Sequence, residues 1–370
     1  MNPLPFDTLI GHTKPLLPPW KTLAPLLQEV WDLGWLSNQG PQVQRLEQEL
    51  RAFLRVGSLS LVNNGTTGLM VALKALNIRG QVVTTPFTFP ATVQAIRWAG
   101  LEPIFCDIRP DMTLDADLAK AVVDNHHGQV GAVLPVHVFG NPCDVAGFQH
   151  LADRSGVKIV YDAAHAFGLE LDRSIGCYGD ATMFSFHATK LFHTAEGGAI
   201  VFSNEDHKDI ADRLVNFGLQ PDGEALAWGL NGKMNEMQAA LGRAVLPLIE
   251  TEIQKRDELR SVYRDALRGI PGLSFVETTE SITKPSRTYF AVVIEETEFG
   301  ASRDEVLDGL RRYNVLAKRY FFPLCSGPGE DFPVASRMAK RVLVLPYFGG
   351  LGVSGAERVA AMVRSLGRPR

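Results

Sequence analysis

The sequence predicts an α/β protein in which a large domain, built on a mostly parallel sheet, is followed by a smaller α+β domain. Three observations predict it. Short apolar runs recur along the first two thirds of the chain, several of them separated by helical patterns. The runs are continuous rather than alternating, which suits strands covered on both faces. Near residue 233 the rhythm changes to long helical stretches. A chain of 370 residues is long enough for one large or two unequal domains, and 45% apolar with 21% charged residues excludes a disordered or fibrous protein.

In chain order, residues 41–55 place Val43, Leu46, Leu50, Phe53 and Leu54 on one stripe. Pro41 fits the first turn of that amphipathic helix and Gly57 its stop. Strands are predicted at 59–62, 82–85, 102–107, 131–138, 158–162, 182–186 and 199–202, with Leu69, Ala72, Leu73 and Leu76 marking a helix after the first. From Lys233 to about Arg268 one or two long helices run until Gly269-Ile-Pro-Gly. A strand of a different neighbourhood follows at 288–294, with helices near 303–313 and 355–366. The predicted division is 1–245 and 246–370, the two parts sharing a helix and an interface because no low-complexity linker separates them.

Charge and composition narrow the function classes. With 37 basic against 41 acidic side chains the net charge is −4, and no Lys/Arg block offers a nucleic-acid footprint. Cys106, Cys143, Cys177 and Cys325 lie far apart, without metal-ligand spacing, and read as free buried thiols. No metal is therefore expected. The N-terminal segment has prolines where a signal peptide needs an apolar run, and nowhere do about 18 apolar residues follow one another. A cytoplasmic protein without a membrane span is expected. His126-His127, in a polar stretch, reads as solvated.

In parallel α/β sheets ligands collect at the carboxyl ends of strands. The first such place is Asn63-Asn64-Gly65-Thr66-Thr67-Gly68, which leads from a strand into a helix. It is either a phosphate cradle at a helix N-terminus or a plain capped turn. The second is Val160-Tyr161-Asp162-Ala163-Ala164-His165, where an apolar run ends in a carboxylate followed by small residues, either a ligand site or a helix cap. In the third, Met183-Phe184-Ser185-Phe186-His187-Ala188-Thr189-Lys190 delivers a lone lysine before Glu196-Gly197-Gly198. That lysine is either a solvated loop residue or a buried nucleophile. An amine, a carboxylate and a phosphate cradle are together what pyridoxal phosphate needs for its aldehyde, its ring nitrogen and its phosphate.

The strings NNGTTGLMVAL, TPFTFPATVQAI, PVHVFGNPCDV, YDAAHAFG, GDATMFSFHATKLFHTAEGGAIV, LNGKMNEMQAALG and RYFFPL resemble, in order and spacing, the DegT/DnrJ/EryC1/StrS family of sugar aminotransferases. The likeness runs from about Gly34 to the end. It implies the aspartate aminotransferase-like fold (fold type I of the pyridoxal-phosphate-dependent transferases) and a homodimer with shared active sites. By the same matching, Lys190 carries the cofactor, Asp162 holds its pyridine nitrogen, and Gly65, Thr66, Thr67 and Ser185 meet its phosphate. Phe89 stacks on the ring and His165 lies near its hydroxyl. Asn231, in the LNGKM string, reaches the neighbouring subunit's phosphate, and the loop is expected to have no role within its own subunit.

Tyr320-Phe321-Phe322-Pro323 is either core or, by the resemblance, a border of the sugar site. His187 is either packed or in contact with the cofactor. Two departures stand out: Gly232-Lys233-Met234 replaces a common Tyr-Arg-Met, and Ala195 replaces a Gly, which reads as conservative. The implied acceptor is a nucleotide-linked keto-deoxy sugar, most like dTDP-4-keto-6-deoxyglucose, and the implied donor glutamate or glutamine. Lys14, Lys233, Lys318 and Arg319 are candidates for the diphosphate. Rival readings are a sugar dehydratase, against which Lys190 argues, a non-catalytic regulatory protein on the same fold, and a nucleotide-binding module without pyridoxal phosphate.

Overall fold

A computed structural model describes residues 3–126, 128–220, 222–225, 228–278, 280–327 and 331–367. Continuous apolarity does produce strands buried on both faces. The large sheet holds seven strands, β1 (Ser60–Val62), β2 (Gln81–Thr84), β3 (Glu102–Phe105), β4 (Val130–Val133), β5 (Lys158–Asp162), β6 (Ala181–Ser185) and β7 (Gly198–Phe202), in the order β1-β7-β6-β5-β4-β2-β3. From β3 to β6 every pair is parallel; β7 alone runs against its two neighbours.

Successive side chains of one strand enter opposite cores. Val83, Val133, Ile159, Tyr161, Phe184 and Val201 pack with the helix Pro41–Leu54 on one side. Val82, Ala132, Val160, Met183 and Ile200 pack with the helix Gly65–Ala75 on the other. Asp162 shares parity with Val160, and Ser185 with Met183. Both therefore leave the sheet on the side of that second helix.

The predicted strand 131–138 is cut short. β4 stops at Val133, and beyond Pro135, which has no N–H to give a ladder, the chain clips onto the end of β5 instead. Asp162 N–H donates to Pro135 O at 2.9 Å and His137 N–H to Asp162 O at 3.0 Å. The long helical stretch after Lys233 is two helices, Glu236–Val245 and Ile249–Leu267, separated at Leu246–Leu248, where Pro247 interrupts the ladder.

A second, antiparallel sheet contains β8 (Leu273–Phe275), β9 (Phe290–Ile294) and β10 (Val342–Leu345) in the order β10-β9-β8. Its two faces also differ. Phe290, Val292, Ile294, Leu343 and Leu345 lie under the helices Ile249–Leu267 and Gly352–Leu366, whereas Ala291, Val342 and Val344 pack with Phe87, Val136 and Phe139 of the large-sheet side. Phe6 and Ile10, on the large-domain side of the 245/246 division, join the core of this second sheet, and Phe6 N–H donates to Tyr313 O at 3.0 Å.

Cys106 and Cys143 are buried as expected, but Cys177 and Cys325 are only partly so. His126 caps a helix, its Nδ1 2.8 Å from Val122 O; His127 lies outside the described residues. Among the described residues no helix is long and apolar enough to cross a membrane.

Candidate functional site

Asp162 ends β5 with 4% of its surface exposed. Thr92, on the helix Pro90–Trp98, donates its hydroxyl to Asp162 Oδ2 at 2.8 Å, and Ala164 N–H donates to Oδ1 at 3.0 Å. Thr88 and Thr92 hydroxyls lie 2.7 Å apart behind it. Burial pushes the Asp162 carboxyl up, opposed by these two donors and by the nearby Lys190 ammonium.

Lys190 keeps part of its surface open at the mouth of the site, yet enough protein surrounds the amine to pull its pKa below the usual lysine value. Burial is the cause; Tyr320 and the Asp162 carboxylate act against it. Its Nζ lies 3.5 Å from Tyr289 Oη. His165, 5% exposed, accepts Phe139 N–H on Nδ1 at 3.2 Å, so in the neutral ring the proton sits on Nε2. The ring is stacked with Phe321 at 5.9 Å and edge-on to Tyr289 at 4.7 Å. Burial, then Lys190, drives its pKa well below the usual histidine value.

The third part is the N-terminus of the helix Gly65–Ala75. Asn64 caps it by accepting Thr67 N–H at 2.8 Å. The amides of Gly65 and Thr66 donate to no protein acceptor among the described residues. A Cβ on Gly65 would lie 3.1 Å from both Met183 Sδ and Ser185 Cβ, so glycine lets the helix end approach Ser185 without pushing either side chain back by a few tenths of an ångström. The Asp162 carboxylate, the Ser185 hydroxyl and the free amides of the helix end thus lie on one side of the sheet, with the Lys190 amine in electrostatic reach of Asp162. That set fits pyridoxal phosphate.

Other sequence candidates are placed less simply. Phe89, 54% exposed, lines a cavity with Lys318, Arg319, Tyr320 and Phe321. Tyr320 packs on Tyr289 at 5.7 Å, with Lys318 Nζ 5.6 Å from its ring. Arg319 pairs with Asp304 at 3.5 Å. Lys14 lines a separate hollow with Phe348 and Gly350. Lys233 donates to Asn216 Oδ1 at 2.8 Å and lies over Phe217. His187 is half-exposed, with Nδ1 2.8 Å from Thr189 Oγ1 and Nε2 3.5 Å from Glu196.

The Asn231 side chain is exposed and makes no hydrogen bond among the described residues. The LNGKM loop, however, does serve its own subunit. Asn63 N–H donates to Gly232 O at 2.7 Å, and a Cβ on Gly232 would lie 2.8 Å from Thr67 Cγ2. The loop props the helix end it was expected to ignore, and at Gly232 a Cβ would crowd the Leu230 and Thr67 side chains. Ala195 also differs from expectation: its φ of +64° lies in the left-handed region, where a Cβ is strained.

Thr92, Tyr289 and His12 were not singled out by the sequence. His12 packs edge-on to Tyr320 at 6.1 Å, and burial, then Lys318 and Lys190, lower its pKa to about 4. Thr92 carried a faint signal, following Phe89-Pro90 at a helix start; Tyr289 and His12 carried none.

The chain is similar to known proteins over nearly its whole length. A dTDP-4-amino-4,6-dideoxy-D-glucose transaminase of Shigella dysenteriae is 38% identical over 363 residues, spanning 96% of this chain and 98% of that protein. GDP-perosamine synthase of Vibrio cholerae is 27% identical over 340 residues, spanning 88% and 90%. The crystal structure of DesI in the presence of its TDP-sugar product superposes with a TM-score of 0.92 at 34% identity, covering 98% of this chain and 94% of that one. The architecture is fold type I of the pyridoxal-phosphate-dependent transferases. The profile of the DegT/DnrJ/EryC1/StrS aminotransferase family matches residues 21–364, and the chain belongs to that family.

Proposed function

We propose that this chain is a pyridoxal-phosphate-dependent aminotransferase that moves an amino group from glutamate or glutamine to a nucleotide-linked keto-deoxy sugar, with dTDP-4-keto-6-deoxyglucose as the acceptor. The observations that carry the reading are the Lys190 amine within electrostatic reach of the buried Asp162 carboxylate, and the open helix end at Gly65 against Ser185, which leaves the sheet on the same side as Asp162. Relatives named dTDP-4-amino-4,6-dideoxy-D-glucose transaminase, 37% and 38% identical, support the choice of acceptor.

When bound, pyridoxal phosphate supplies an electron sink for the donor's α-carbon. Lys190 holds the cofactor and, once released, moves a proton at the reacting carbon through Nζ; burial, by lowering its pKa, raises the neutral fraction available for that work. Asp162 keeps the ring nitrogen protonated, its own charge supported by Thr92 and Ala164. His165 offers the Nε2 proton to the ring oxygen. Thr66, Thr67, Ser185 and the free amides bind the phosphate, while Phe89 covers the ring. Tyr320 and Lys318 border the acceptor.

Purified protein incubated with either donor and a panel of nucleotide keto sugars, with mass detection, tests the reading. Amination of dTDP-4-keto-6-deoxyglucose at carbon 4 is expected. A 3-amino product overturns the regiochemistry, and no amination of any acceptor overturns the function.

The working unit in this reading is a homodimer, supported by the exposed, unengaged Asn231 and by Trp228, Trp20 and Trp31, which are 99%, 70% and 64% exposed in the single chain. Mixing inactive Lys190→Ala and Asn231→Ala chains should restore activity above either parent. No recovery would contradict shared sites.

A further inference from the structure

Tyr289 reaches the site from the opposite sheet. It precedes β9 and shares the parity of Ala291, so it points from the second sheet toward the large-sheet strand ends. It is 5% exposed, and its hydroxyl is the one hydrogen-bond contact of Lys190 Nζ among the described residues, at 3.5 Å. The amine also lies 5.6 Å from the ring centre. The ring is fixed on three sides, by His165 at 4.7 Å, Tyr320 at 5.7 Å and Phe139 at 6.2 Å.

We propose that Tyr289 is a positioning residue for Lys190, the rest position of its amine whenever that amine is free, an inference that rests on the aminotransferase reading above. A phenol suits the task because it both accepts and donates: its oxygen accepts from an ammonium, and its O–H donates to a neutral amine. Lys190 changes between those two states as it takes and returns a proton, and one partner serves both. The phenol does not itself act as the base, since burial holds its pKa up to about 12. At 3.5 Å the contact is at the long end of hydrogen-bond range, so a small swing of the lysine chain makes or releases it.

The groups facing Lys190 are the Asp162 carboxylate from the end of β5, His165 after it, Tyr320 from the segment before β10, and His12 from the N-terminal segment. Among the described residues only Tyr289 places a hydroxyl on the amine itself, and that hydroxyl also meets Thr189 and Tyr320. Tyr289→Phe removes that hydroxyl and keeps the ring that His165, Tyr320 and Phe139 pack against.

Three measurements on wild type and Tyr289→Phe test the proposal. The first is borohydride trapping of pyridoxal phosphate, located by peptide mapping. The second is the pH profile of reductive methylation of Lys190 in cofactor-free protein, read by mass spectrometry. The third is the single-turnover reaction of loaded enzyme with glutamate. Trapping on Lys190 is expected in both proteins. The methylation midpoint should fall by about 0.5 to 1 unit in the variant, because the bond the phenol accepts from the ammonium is stronger than the one it gives the neutral amine, so the charged form loses more. The single-turnover rate should fall about tenfold with the glutamate dependence unchanged, as expected for loss of about one hydrogen bond's worth of positioning.

Superimposable methylation profiles, or an unchanged turnover rate, would overturn the role of Tyr289. Absence of trapping in wild type would overturn the aminotransferase reading, while the methylation profiles still decide whether Tyr289 holds the amine.

Discussion

Asp162 and His137 are joined by a backbone hydrogen bond of 3.0 Å, both are buried, and both titrate, yet their surroundings differ. Asp162 leaves the sheet on the side of the helix Gly65–Ala75, where two donors and a cation surround it. His137 is stacked on Tyr161 at 4.8 Å on the other side, its Nδ1 accepting Cys143 N–H at 3.0 Å and its Nε2 meeting no partner among the described residues. Burial lowers the His137 pKa to about 3, so the ring stays neutral. The lesson is that burial of a titratable group does not make a site. What distinguishes Asp162 is a set of donors that favours its charged form against the effect of burial, and an opposite charge in reach.

Exchanging each side chain for a near isostere should separate the two cleanly. Asp162→Asn should lower turnover about 10²- to 10³-fold, the usual effect of removing one preorganised electrostatic partner, while stability changes by less than about 1 kcal/mol. Turnover assays and denaturant melts of the same preparation check this. Near-normal turnover would reduce Asp162 to a cap for the following turn. A milder break on the same side is Thr92→Val, which takes one hydrogen bond from the carboxylate. A loss of about tenfold is expected, with the acid limb of the pH–rate profile moved upward because the charged carboxylate has lost a donor.

His137→Asn should leave turnover within about twofold and act on stability instead. Above its ordinary value of 6.5 the ring is neutral in folded and unfolded chains alike. Between 6.5 and about 3 only the unfolded chain takes up the proton, so acidification drains stability. From pH 7 to 5 this one group accounts for about 2 kcal/mol, and the variant, in which Asn Oδ1 can still accept Cys143 N–H, should lose that share of the pH slope. Denaturant midpoints at the two pH values decide it; equal slopes would mean His137 is protonated in the fold.

The same contrast explains what could be read in advance. Asp162 and Lys190 each end or follow a continuous apolar run, and that local pattern marks a strand end without any knowledge of the fold. Gly65 was visible for the same reason. Thr92 looks like any threonine near a helix start, and its meaning depends on Asp162, 70 positions away. Tyr289 and His12 arrive from the second sheet and the N-terminal segment, and no periodicity announces which strand ends they will face. The strand β10 was missed although Val342-Leu-Val-Leu is a short apolar run, because it follows a helix directly without a turn residue. Ala195 was misjudged for a backbone reason: size is conservative there, but its positive φ is not.

That misjudgement yields the smallest effect. Ala195→Gly should stabilise the protein by about 0.5–1 kcal/mol, since relief of left-handed strain outweighs glycine's extra unfolded-state freedom. Thermal melts would show it as a rise in the midpoint, and a fall would mean the turn tolerates a Cβ.

The central claim is that Lys190, the lysine delivered by β6 to the side where Asp162 lies, is the residue that holds pyridoxal phosphate. Borohydride reduction of the loaded protein followed by peptide mapping tests it directly. The account predicts a single phosphopyridoxyl label on the peptide containing Lys190, lost in Lys190→Ala. A label on another lysine would contradict the site, and no label on a protein shown to be folded would contradict the cofactor as well.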